Sequence, residues 1–178
     1  MVNKLYLDNC YINNIQQEVS NLNFNYVAQD NQYKDSIFQY VHNVHYDGTP
    51  LVNPILEVAK KTLDIKWATR IKVNKLLSQK ASVEQVQHLW HQDKVKKGYV
   101  SLIYYVNNSD GDTIVGGYKN TPKAGEIIYF DSDLFHRPSL PTKNERIIIN
   151  FIFEKNKWQH KDYNLQIGCQ TNQQIQVV

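Results

Sequence analysis

Ile12, Ile15, Val19 and Leu22 recur at helical spacing behind two capping candidates, Asp8 and Asn9, which predicts a helix over residues 12–22. A second helix is predicted from Pro54 to about Leu63, where a proline suits the first turn because its missing N–H has no partner to lose. Between them, residues 23–53 mix Asn, Asp, Gly and Pro with isolated aromatics and hold no period. This stretch reads as irregular structure that could serve as a lid over a pocket and select the substrate.

From Trp67 the pattern changes to short runs rich in β-branched and aromatic residues: 67–77, 98–106, 113–118, 126–130 and 146–153. Turn-forming sequences separate them, among them Asn107-Asn108-Ser109-Asp110-Gly111 and Pro122-Lys123-Ala124-Gly125, and none is long enough to hold a crossover helix. The sheet should therefore be largely antiparallel. The fold class this implies is mainly β with N-terminal helices, a double-sheet barrel or jelly roll with the helices packed on one sheet. No repeat or linker interrupts the chain. We expect one domain over residues 1–178, made of a helical and irregular part (1–66), a jelly-roll core (67–154) and a polar, peripheral tail (155–178).

Composition narrows this little. The 178 residues are 42% hydrophobic and 12% aromatic, enough for a core without disulfides or structural zinc. A net charge of +3, spread over scattered lysines, leaves nucleic-acid binding unsupported. No run reaches the roughly 20 apolar residues that span a bilayer, and no secretory leader is visible, so a cytoplasmic protein is expected, in a bacterial cell or in a phage host. Cys10 and Cys169, near opposite ends, spell neither a disulfide framework nor a zinc site, and a single staple between them is the less favoured reading.

Chemistry enters at His91-Gln92-Asp93. Residues two apart on an extended segment point to one side with Cα atoms about 6 to 7 Å apart, so an imidazole and a carboxylate can share an ion. The pair alone arises often by chance and needs a third ligand. His136, between two apolar runs, is the candidate; two histidines and one carboxylate leave three positions open, the set associated with non-haem Fe(II) oxygenases. Positions 136 and 146 are symmetric about Pro141, so a hairpin turning there would set them opposite, with Cβ atoms roughly 5 Å apart. Arg146 opens an otherwise apolar strand, and a planar guanidinium in such a place wants a carboxylate. In Arg70 to Leu76, alternation puts Lys72, Asn74 and Leu76 on one face, and a buried Asn74 would need a partner such as a ligand carboxylate or water. His88, His42, His45 and His160 lack ligand spacing and read as loop or surface residues.

The ordered set His91-x-Asp93, Ser101-Leu102-Ile103-Tyr104-Tyr105-Val106-Asn107, Pro122-x-x-Gly125, Phe130, His136 and Arg146 resembles the prolyl-hydroxylase-like branch of the 2-oxoglutarate/Fe(II) dioxygenases, over about residues 65–153. The resemblance implies a double-stranded β-helix with the metal at its mouth. It makes His91, Asp93 and His136 the iron ligands and Arg146 the partner of the 5-carboxylate of 2-oxoglutarate. Tyr105 would stand beside that carboxylate, with Ile103 on the same face and Tyr104 on the other. The chain departs where many relatives have a double glycine before the strand after the hairpin: it has Asp110-Gly111-Asp112-Thr113 there, and Gly116-Gly117 later.

The resemblance implies an activity as well. Fe(II), 2-oxoglutarate and dioxygen would be used, with ascorbate allowed as a reductant, to hydroxylate a C–H bond while 2-oxoglutarate becomes succinate and carbon dioxide. A carboxylate at position 93 favours hydroxylation over halogenation. The favoured partner is a protein side chain such as proline, with a small molecule as the other option. Nucleobase repair is the runner-up, since those relatives carry a second arginine where this chain has Asn150-Phe151-Ile152-Phe153-Glu154. A cupin-like metal binder without turnover is the reading from another class, and it gives Arg146 no purpose.

Overall fold

The computed structural model describes residues 1–27, 39–44, 49–78 and 89–156. Two helices and ten strands run in the order β1 (Asn3–Tyr6), α1 (Asn9–Ser20), β2 (Asn25–Val27), β3 (Gln39–Asn43), α2 (Asn53–Thr62), β4 (Ile65–Leu76), β5 (Tyr99–Tyr105), β6 (Thr113–Val115), β7 (Tyr118–Asn120), β8 (Glu126–Asp131), β9 (His136–Pro138) and β10 (Arg146–Lys155). Asp8 caps α1 by accepting from the Cys10 amide at 3.1 Å, and Pro54 sits in the first turn of α2, as their residue types require.

Every strand pairing is antiparallel. Seven strands form one sheet in the order β1-β8-β5-β10-β4-β3-β2, and three form a second, β7-β6-β9. Alternation along the strands gives the large sheet two different faces. One face carries Val73, Leu102, Tyr104, Ile127, Ile149 and Phe151 against Ile15 and Val19 of α1 and Ile55 and Ala59 of α2, which is the main core. The other carries Ile103, Tyr105, Ile128, Phe130 and Ile148 against Val115 of the small sheet. The two sheets thus face each other across a second, smaller core, and Ile103 with Tyr105 lies on one side and Tyr104 on the other, as expected.

Three expectations change. Part of the irregular stretch is ordered as β2 and β3, which extend the large sheet beyond β4; the rest of the candidate lid, at residues 28–38 and 45–48, lies outside the described residues, as do His45, His88, His160 and the tail beyond residue 156. Residues 113–118 are not one strand, because Gly116 takes a left-handed φ of 57° and turns the chain from β6 into β7. Most consequentially, 136 and 146 do not face each other across a hairpin: β9 pairs with β6 in the small sheet, while β10 pairs with β4 and β5 in the large one. The 139–145 connection crosses between sheets and is held by Asp110, which accepts from the amides of Thr142 and Lys143 at 3.0 to 3.2 Å.

Among the described residues no helix is long and apolar enough to cross a membrane. Cys10 is not a free thiol; the staple considered between it and Cys169 involves a residue outside the described ones.

Candidate metal centre and anion pocket

His91, Asp93 and His136 meet between the sheets, with one ligand atom from each lying within 4.8 Å of the others. The histidines are fixed by backbone pairing. His91 N–H donates to the His136 carbonyl at 3.0 Å and His136 N–H to the His91 carbonyl at 2.9 Å, an isolated bridge that puts their rings 4.3 Å apart between centroids. Each imidazole then turns Nδ1 to the carbonyl two residues earlier, His91 to Leu89 at 3.3 Å and His136 to Leu134 at 3.1 Å. A carbonyl only accepts, so both Nδ1 atoms carry a proton, which leaves Nε2 of each ring as the atom a metal would take.

Burial pulls the His136 pKa down to about 4, against the opposing charge of Asp93. The ring is therefore neutral at physiological pH, and its Nε2, 3.6 Å from Asp93 Oδ2, forms no ion pair with it. Asp93 is itself ionised. Burial works against the charge, but Arg70, His136 and Ser101 together hold the carboxyl below the ordinary range. Ser101 donates to Oδ2 at 2.6 Å, and Arg70 donates to Oδ1. A lone pair on a neutral imidazole thus faces a carboxylate oxygen across a gap too long for a hydrogen bond. A cation between them resolves that repulsion, and two histidines with one carboxylate suit iron of the open-sided kind; the donor set fits the ion.

Arg146, at the start of β10, is 3% exposed and has no carboxylate within ion-pair distance among the described residues. Its Nη2 donates to Thr113 Oγ1 at 2.6 Å, and its Nε has no partner. Tyr105, fully buried, donates its hydroxyl to the same Thr113 Oγ1 at 2.7 Å and lies under the guanidinium, 5.9 Å from ring centroid to Cζ. Burial lowers the Arg146 pKa, with Tyr105 and the charge of Asp112, beyond ion-pair contact, opposing it, and burial raises that of Tyr105; a guanidinium stays charged. A buried cation with a free N–H and no counter-ion costs several kcal/mol unless an anion arrives, on the order of the penalties for any isolated buried charge. Gly111 makes room for it: a Cβ there would stand 3.0 Å from the Ser139 carbonyl and 3.1 Å from Arg146 Cδ. The departure from the double-glycine pattern therefore leaves a glycine where the arginine passes.

Asn74 lies opposite Ile148, on the face of β4 turned to the small sheet, with a buried Oδ1 that has no partner. Sequence reasoning missed Thr113, Ser101's bond to Asp93, and Arg70. None has a local signal: each is made important by a neighbour on another strand. His42, read as a surface residue, takes a structural bond from Nδ1 to the Asn23 carbonyl at 2.8 Å.

Neither a family model nor a curated protein matches the sequence. Solved structures do. A prolyl-4-hydroxylase from Pseudomonas putida superposes with a TM-score of 0.63 at 13% identity, covering 87% of this chain and 92% of its own. The fold is the one these oxygenases share. The similarity extends to a prolyl hydroxylase from Trichoplax adhaerens in complex with a hypoxia inducible factor peptide, with a TM-score of 0.57 at 12% identity and coverage of 82% and 77%. It extends also to HygX from Streptomyces hygroscopicus with nickel and 2-oxoglutarate bound, with a TM-score of 0.56 at 9% identity and coverage of 84% and 80%. The jelly-roll expectation holds.

Proposed function

We propose that this chain is an Fe(II)- and 2-oxoglutarate-dependent oxygenase. The observation that carries the reading is the pairing of two features on the same side of the large sheet: two imidazoles and the Asp93 carboxylate within reach of one ion, from His91, Asp93 and His136, and a buried guanidinium, Arg146, with no carboxylate in ion-pair contact among the described residues. A metal binder alone explains the first and leaves the second as a cost. The fold supports the reading, since HygX, which shares it, was crystallised with nickel and 2-oxoglutarate.

In this proposal His91, Asp93 and His136 hold the metal through Nε2, a carboxylate oxygen and Nε2. Arg146 takes the distal carboxylate of 2-oxoglutarate, with Tyr105 and Thr113 fixing the guanidinium from below and beside, and Asn74 faces the same cavity. Bound iron, with 2-oxoglutarate and dioxygen, would supply the oxidising power for C–H hydroxylation, yielding succinate and carbon dioxide. The chain's own part is to hold both imidazoles by Nδ1 so that Nε2 is left to the metal, to keep His136 neutral and Asp93 ionised, and to shelter the anion from water. A peptide side chain, proline foremost, is the substrate the reading favours, since prolyl hydroxylases are among the proteins sharing the fold.

The test is aerobic incubation with Fe(II), 2-oxoglutarate and peptide or nucleoside extracts of the host, measuring succinate and an enzyme-dependent mass gain of one oxygen. Succinate formation that His136→Ala abolishes supports the proposal; turnover retained in that variant removes His136 from the ligand set.

A further inference from the structure

Beyond the metal set and Arg146, the cavity face of β4 carries two more cations. Antiparallel pairing sets Arg70 opposite Ile152, Lys72 opposite Asn150 and Asn74 opposite Ile148. The same β10 residues lie opposite Ser101, Ile103 and Tyr105, and Ile103, Tyr105 and Ile148 pack between the sheets. Directly opposed residues share a face, so Arg70, Lys72 and Asn74 all belong to the cavity side.

Arg70 is bonded to Asp93. Lys72 is partly buried, yet it has no hydrogen bond or ion pair among the described residues. Burial lowers its pKa, Arg70 lowers it further and Asp93 opposes, which puts the ammonium in the field of both side chains. Asn150, beside it on the next strand, is 6% exposed, and its Oδ1 has no partner. Asn74 Oδ1, one step further along β4, is also orphaned. An unpartnered ammonium next to two unpartnered amide oxygens describes a place for a group that accepts on one side and donates on the other.

Charge points the same way. A divalent cation and the 2-oxoglutarate dianion cancel each other, which leaves Arg70, Lys72 and Arg146 facing the single carboxylate of Asp93. The nearby acids are already paired: Asp112 with Lys119, Asp131 with Lys155, Glu145 with Lys75 and Glu126 with Lys4. The loaded cavity retains an excess of two positive charges.

We infer that Lys72, backed by Arg70 and flanked by Asn150 and Asn74, is a subsite for an oxyanion on the substrate, a carboxylate or phosphate with an N–H or O–H beside it. This rests on the oxygenase reading for what the anion belongs to, not for the subsite itself. The substrate would be acidic near the oxidised carbon, and its anion would hold it over the metal as Arg146 holds the cosubstrate.

Methyl phosphate and acetate serve as probes. The side-chain amide NMR signals of Asn150 and Asn74 are monitored while each probe is titrated into metal-free protein and into protein saturated with Zn(II) and 2-oxoglutarate. Expected are saturable shifts in both forms, a Kd at least five-fold weaker in Lys72→Met, near-wild-type binding in Lys72→Arg, and no change in Lys96→Met on the surface; the tighter probe identifies the oxyanion. Equal binding in Lys72→Met, shifts that never saturate, or loss of probe binding when 2-oxoglutarate is added would overturn the subsite. Protein that binds the probe at Lys72 but takes up no 2-oxoglutarate would remove the oxygenase reading and keep the subsite, whereas uptake of 2-oxoglutarate without probe binding would do the reverse.

Discussion

His91 and His136 exchange both backbone hydrogen bonds, at 3.0 and 2.9 Å, while each ring gives its Nδ1 proton to the carbonyl two residues before it. Backbone pairing thus sets the positions of the two candidate ligands, and the Nδ1 bonds leave Nε2 as the atom open to a metal, before any metal binds. Preorganisation of this kind is what a metal site with open positions needs, because the ligands cannot rely on a closed shell to hold them.

Arg146→Met should separate stability from function. Removing a buried guanidinium with no carboxylate in ion-pair contact among the described residues is expected to raise the stability of ligand-free protein by about 1 kcal/mol or more, seen as a higher Tm. The same variant should bind 2-oxoglutarate at least ~30-fold more weakly, the loss of charge-assisted bonds worth roughly 2 kcal/mol, while Fe(II) affinity stays put in calorimetry. Unchanged 2-oxoglutarate affinity would take Arg146 out of its role.

Thr113→Val removes the one hydroxyl that accepts from both Tyr105 and Arg146. Two buried donors lose their acceptor, at about 1 to 3 kcal/mol each for an unsatisfied group. Chemical denaturation should show the loss, and 2-oxoglutarate binding should weaken with it; a neutral result would mean that water replaces the hydroxyl.

Gly111→Ala places a methyl about 3 Å from Ser139 O, Arg146 Cδ and Pro141 Cδ. Each must give by a few tenths of an ångström, and overpacking of this sort costs roughly 1 to 3 kcal/mol. Because Arg146 is the movable side chain, the expected result is weaker 2-oxoglutarate binding with metal affinity intact.

Asp110 latches the 139–145 crossing. Burial works against the charge, but the bonds from Thr142 and Lys143 together outweigh it and hold the pKa down to about 2. The folded pKa lies below the unfolded value near 3.9, so its contribution is complete above about pH 4 and disappears as pH falls through about 2. Being largely solvated, it should be worth no more than about 1 kcal/mol. Asp110→Asn should lower Tm at pH 7 and converge with wild type at pH 2; an equal gap at both would contradict the latch.

The helices, the strands read at 67–77, 98–106, 126–130 and 146–153, and the candidate ligand set were legible because each depends on local period, capping or spacing: Asp8 and Pro54 sit where their chemistry puts them, and His91 and Asp93 share one segment. The apparent hairpin symmetry about Pro141 misled because spacing along the chain cannot show that residues 139–145 cross between sheets. β1, β2 and β3 are only three to five residues long, too short for a period to emerge, and their strand character comes from the edge they complete. Thr113 and Arg70 were invisible for a related reason: their importance is conferred by Arg146 and Asp93, reached only when distant strands meet.

One cavity is expected to bind iron and 2-oxoglutarate together. The most direct test is anaerobic titration of Fe(II)-loaded protein with 2-oxoglutarate, read by visible absorption. A charge-transfer band that grows to one equivalent, is absent in His136→Ala and needs far more 2-oxoglutarate in Arg146→Met is expected; a protein that binds Fe(II) yet develops no such band at saturating 2-oxoglutarate would contradict joint binding.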